Sequence, residues 1–89
     1  MQRLLLTISI LSYNGKMYAY APAIAQFTMP IEISSEEDSE LVIRDFLSQH
    51  PDSVINPIPP ISAIHQTKLW LRLHGHSLSD FITYITIVI

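Results

Sequence analysis

The sequence has no cysteine, only two glycines and a single tryptophan, and charged side chains fill just 15% of its 89 positions. Without cysteine a disulfide scaffold is excluded, and the redox compartment stays undetermined. No uninterrupted apolar run approaches the roughly 20 residues that a membrane-crossing helix needs, so no membrane span is expected. Positive charge is scarce too: five Lys and Arg stand against eight Asp and Glu, a formal net charge of -3. Such a chain lacks the field that draws phosphate backbones, which makes nucleic acid an unlikely partner for the surface as a whole. Internal repeats and low-complexity tracts are also missing. Finally, 89 residues leave no room for a second core, which excludes enzymes that build a cofactor cleft between two lobes.

What is present is apolar surface, at 48% of positions, ample for a folded single domain over residues 1–89. The charge is unevenly placed. Glu36, Glu37, Asp38 and Glu40 crowd together, whereas Lys16, Lys68, Arg72 and all four histidines lie elsewhere. Arg3, the apolar run Leu4–Leu11 and the small residues Ala23-Ile24-Ala25 superficially resemble a secretory signal. Asn14, Gly15 and Lys16 interrupt that pattern, and cleavage would discard the best hairpin in the chain, so the reading keeps the protein cytoplasmic.

That hairpin is the strongest local signal. Residues 3–13 and 16–21 are β-rich and flank Asn14-Gly15, a dipeptide suited to the positive φ angles of a two-residue turn. The implied register sets Tyr13 opposite Lys16 and continues through Ser9 opposite Tyr20 to Ile8 opposite Ala21. Leu4, Leu6, Ile8, Ile10, Met17, Ala19 and Ala21 then share one face, and Thr7, Ser9, Tyr13, Lys16, Tyr18 and Tyr20 the other. Ile31–Ile33 reads as a short strand. Ser34 and Glu37 have capping-box spacing, and the acids suit a helix start, which predicts a helix from about Ser35 to His50. Val42, Ile43, Phe46 and Leu47 form its apolar arc, with Glu40 and Arg44 paired at i, i+4 and Leu41 left exposed.

Pro51, Pro57, Pro59 and Pro60 predict an irregular connection. Residues 68–74 alternate, with Leu69, Leu71 and Leu73 inward and Lys68, Trp70, Arg72 and His74 outward, the pattern of a half-buried strand. Phe81–Ile89 is β-branched to its last position and reads as a closing strand, buried or completed by another subunit. The expected fold class is therefore α+β: a β-hairpin, one amphipathic helix and a C-terminal strand pair, the helix packed on one face of a mostly antiparallel sheet. The opposite face is expected to be open and to carry Tyr18, Tyr20, Trp70, Arg72, His74 and Tyr84.

Several constellations bear on chemistry. Gly75-His76-Ser77-Leu78-Ser79 approaches a G-x-S-x-G nucleophile elbow, but its closing glycine is a serine and no histidine follows Ser77. His76 and Asp80 have the H-x-x-x-D spacing of condensation-type CoA-dependent acyltransferases, which are several times longer. His74 and His76, with His65, His50 or Asp80, are a weak candidate metal set. The expectation is no catalytic residue, metal or cofactor. It is partner binding instead, through Tyr18, Tyr20, Trp70, Arg72 and Tyr84 on the aromatic face and through Glu36, Glu37, Asp38 and Glu40 at the acidic helix start, the partner being another protein or a second copy. RNA stacking on the aromatic face is one alternative, and acyl transfer or hydrolysis at His76, Ser77 and Asp80 the other.

Tyr13-Asn14-Gly15-Lys16, Tyr18-Ala19-Tyr20-Ala21-Pro22, the Ser35-Glu36-Glu37 cap with its helix to Leu47, and Ile58-Pro59-Pro60-Ile61-Ser62 together resemble the partial-RNase-H-like domain of HicB-type antitoxins over residues 4–62. The Pro-x-x-x-Gly-Cys continuation of that family is missing after Pro22, and no DNA-binding segment follows residue 62. The resemblance implies a non-catalytic, dimer-prone domain whose acidic surface masks a small basic toxin RNase. Operator binding is not implied.

Overall fold

Asn14 and Gly15 adopt φ of 55° and 74°, the left-handed pair that closes a two-residue hairpin. They join β1 (Leu5–Tyr13) to β2 (Lys16–Tyr20) in a computed structural model that describes residues 4–89. The register runs from Tyr13 opposite Lys16 to Ser9 opposite Tyr20, as the sequence predicts. Arg3, part of the signal-like reading, lies outside the described residues.

β3 (Ile31–Ile33) pairs with β2, and β4 (Phe81–Val88) pairs with β1, so the antiparallel sheet has the order β3-β2-β1-β4. The fold class is α+β, with helices packed against a four-stranded antiparallel sheet. β1 is central, and this explains its composition: Leu6 through Leu11 are buried on both faces of the strand. The two edges of the sheet differ. β3 has three residues, follows Pro30 and carries Glu32, which pairs with Lys16 at 3.4 Å. β4 has eight residues, with no charge, proline or glycine among them.

One face of the sheet is formed by Leu6, Ile8 and Ile10 of β1, Ala19 of β2, Ile31 and Ile33 of β3, and Ile85 and Ile87 of β4. Against it lies α1 (Ser39–Gln49), with Ile43 fully buried and Val42, Phe46 and Leu47 packed on the core. Leu41 is exposed, and Arg44 Nε donates to Glu40 Oε2 at 2.8 Å, both as expected. The helix start differs from the expected capping box. Glu36–Asp38 form a 3-10 turn capped by Ser35 without a side-chain bond to the backbone, and Ser39 Oγ donates to Glu36 O.

The larger correction concerns residues 60–74. Where alternation of Leu69, Leu71 and Leu73 predicts a strand, the chain forms α2 (Pro60–Leu73), so two helices pack on the sheet and the expected C-terminal strand pair does not form; β4 pairs with β1 instead. Pro59 is extended and Pro60 occupies the first turn, where its missing N–H costs nothing. Ala63, Thr67, Trp70 and Leu71 are the buried positions, spaced as one helical face. Leu-x-Leu-x-Leu satisfies both a strand and a helix; the small buried residues Thr67 and Ala63, one and two turns before Leu71, decide for the helix. Of the three leucines only Leu71 is inward, while Leu69 and Leu73 are 51% and 74% exposed.

α2 covers the sheet face expected to be open. Ser9 of β1 meets Thr67 there, and the Tyr20 and Trp70 rings pack with centroids 5.7 Å apart. Phe27, in the loop after β2, touches both Tyr20 and Phe46 and so ties the two layers together. No helix among the described residues is long and apolar enough to cross a membrane.

Candidate partner-binding groove

The expected aromatic platform is dispersed by α2. Tyr20 and Trp70 are 9% and 8% exposed, held inside the core, and Trp70 Nε1 donates to Thr28 O at 3.3 Å. Burial pushes the Tyr20 phenol above its ordinary pKa. Tyr18 is half-buried and stacks on Tyr13 at 4.3 Å. The Tyr13 phenol is also raised, by burial first and then by the neighbouring Tyr18 and Asp80. Arg72 is exposed and lines a cleft of about 250 Å³ with His65, Lys68, Leu69 and Leu78. Tyr84 is exposed on β4 and is not among the residues that line Arg72's cleft.

The residues singled out for acyl-transfer chemistry are engaged in local structure. Ser77 Oγ accepts from Ser79 N, and Asp80 Oδ2 accepts from Ser77 N, both at 3.2 Å, a capping box around the short 3-10 turn Leu78–Asp80. The His76 ring lies 4.1 Å from that of Tyr13 and 5.6 Å from that of Trp70. His74 stacks on Trp70, its Nδ1 2.9 Å from Trp70 O, and His50 is placed likewise on Phe46 at the end of α1. No group of three or more His, Asp or Glu among the described residues is placed to share a metal ion.

The acidic set fares differently. Glu36, Glu37 and Glu40 are exposed and, with Ser35, wall a groove of about 810 Å³ whose other side is Ile85, Thr86 and Ile87 of β4. Asp38 is half-buried, and its Oδ2 receives Ser35 Oγ at 3.4 Å within its own turn. The sequence singled out the carboxylates but not the strand that faces them. Ile85 and Ile87 alternate with Tyr84, Thr86 and Val88, so the groove side of β4 is aliphatic while its other face is exposed.

The edge of β4 is open along this groove. Leu4 and Ile89 exchange both backbone bonds, at 3.2 and 3.0 Å. In an antiparallel ladder such pairs alternate with pairs whose N–H and C=O groups point away from each other. Ile87 and Ile85 therefore bond to β1, whereas Tyr84, Thr86 and Val88 turn their backbone groups outward. Among the described residues the one bond made on that side is from Arg44 Nη2 to Val88 O, at 2.8 Å. No protein-family model, curated protein or solved structure matches the chain.

Proposed function

We propose that this protein is a small non-catalytic protein–protein interaction module whose acidic groove masks a basic partner. One observation carries the reading: three exposed carboxylates, Glu36, Glu37 and Glu40, stand across a groove from the open edge of an uncharged strand. Carboxylates on a concave wall attract and orient cationic side chains, and the aliphatic floor adds apolar area to be buried. The resemblance to HicB-type antitoxins runs in the same direction, since masking a basic toxin RNase is the role it implies.

Burial of Tyr20 and Trp70 favours this reading over RNA stacking, which needs accessible rings. The engagement of Ser77 and Asp80 in a capping box favours it over acyl transfer. The test is to purify the untagged protein from its native cells and weigh the intact complex by native mass spectrometry. The expected result is a stoichiometric complex with a small basic protein, lost when Glu36, Glu37 and Glu40 are changed to lysine. A clean monomer would overturn the proposal.

A further inference from the structure

The two edges of the sheet are protected unequally, and the difference identifies a binding mode. β3 is blunted by shortness, by Pro30 beside it and by the Lys16–Glu32 pair, the usual devices against strand addition. β4 is long and has no proline or charge of its own; Arg44 of α1, paired with Glu40, reaches only Val88 O, which leaves outward the N–H and C=O groups of Tyr84 and Thr86 and the N–H of Val88. A long uncharged edge of this kind is a template for another strand.

Resting on the reading above, we propose that β4 takes up an extended basic segment of the partner protein, which adds antiparallel to the sheet edge. Two facts fix the chemistry of that segment. Residues directly opposite each other in an antiparallel pair share a sheet face. Those opposite Ile85 and Ile87 emerge on the groove side, which Glu36, Glu37 and the Arg44-paired Glu40 also line, and charge complementarity calls for Lys or Arg there. Those opposite Tyr84 and Thr86 emerge on the other face, beside the exposed Tyr84, Val88 and Leu5, and must be apolar. The recognised pattern is cation and apolar residue in strict alternation. A second copy of β4 lacks the cations, and a two-fold through paired β4 strands would keep both α1 helices on one sheet face, crowding the two sets of carboxylates along one seam. Charge complementarity thus selects a basic segment over self-pairing.

The bonding pattern supplies its own control. Only the apolar residues of the segment, opposite Tyr84 and Thr86, direct their N–H groups toward β4; the cationic ones direct theirs away. The probe is a capped heptapeptide of alternating Lys and Val, compared with versions N-methylated on the valines or on the lysines. Titration against the full chain, with amide exchange read at Tyr84 and Thr86, is the measurement. Methylation of the valines is expected to weaken binding by at least about tenfold and methylation of the lysines much less. The Tyr84 and Thr86 amides are expected to be protected by the unmodified peptide. Thr86→Pro, which removes no bond to β1, is expected to abolish binding with an unchanged urea midpoint.

Equal binding of all three peptides would overturn strand addition. If charge reversal at Glu36, Glu37 and Glu40 still abolished the native complex, the broader reading would stand without it. Failure of the unmodified peptide to bind would overturn the proposal as well. So would a concentration-dependent dimer that protects Tyr84 and Thr86 without peptide, since the occupant would then be a second copy.

Discussion

The hydroxyl of Ser9 lies 2.7 Å from that of Thr67, joining β1 to α2 across a buried interface. Thr67 commits its single proton to Ala63 O at 2.9 Å, so Ser9 is the donor and Thr67 the acceptor of the bond between them. The relay fastens the second helix to the sheet face that would otherwise be open. It also breaks the symmetry between its two partners.

That asymmetry makes a prediction. Thr67→Val leaves the Ser9 proton without an acceptor in the core and costs about 1–3 kcal/mol. Ser9→Ala removes one neutral bond while Thr67 keeps Ala63, a loss of about 0.5–1.5 kcal/mol. Adding Ser9→Ala to Thr67→Val is therefore expected to recover stability, because the orphaned donor disappears. Urea midpoints of the four proteins read the cycle directly.

The orientation of α2 makes a second. Leu71 is fully buried, and Leu71→Ala is expected to cost about 2–5 kcal/mol. Leu69→Ala and Leu73→Ala, at exposed positions, are expected to stay within about 0.5 kcal/mol of the parent protein. A strand would make the three alike, so denaturation midpoints separate the two structures. Trp70→Ala removes a buried ring and should cost about 3–5 kcal/mol, which rules it out as a clean probe of binding.

Residues 69–73 also mark where the sequence stops being legible. The hairpin could be read because Asn14-Gly15 carries its own backbone preference, and once the turn is two residues long the register follows. The helix ending at Gln49 could be read from Ile43 and Phe46 against Glu40 and Arg44, and β4 from its β-branched residues. α2 could not, because a leucine at every second position serves either period and the proline run before it obscures a helix that begins on Pro60. The consequence carried to the site. With a strand at 68–74, Trp70 and Arg72 shared an open face with Tyr20; with a helix there, Tyr20 and Trp70 enter the core. The acids were identified, but their proximity to Ile85 and Ile87 depends on β4 lying beside β1, a long-range pairing that no local pattern encodes.

The hairpin turn yields a third prediction. Gly15 has φ of 74° and open space where a Cβ would stand, so Gly15→Ala meets a backbone penalty and no clash. The expected loss is about 1 kcal/mol, measurable as a lowered thermal midpoint. Asn14, at φ 55°, is a residue type that tolerates this region.

Tyr20 yields the last, in pH. Its phenol is buried and its pKa raised, so the folded state holds the proton above the value near 10 at which an unfolded tyrosine releases it. Below about pH 10 both states are protonated and the difference is silent. As pH rises past that value the unfolded chain binds fewer protons than the folded one, and stability falls until the folded phenol also titrates. Tyr13, raised by burial, Tyr18 and Asp80, adds to the same limb. Tyr20→Phe keeps the ring against Phe27 and Trp70 and removes the titrating group. Urea midpoints taken at neutral pH and then above about pH 10 are expected to show little change at neutrality and a shallower alkaline decline in the variant. An identical alkaline decline in both proteins would mean that the Tyr20 hydroxyl is solvated in the fold, and that the contact between β2 and α2 opens at that ring.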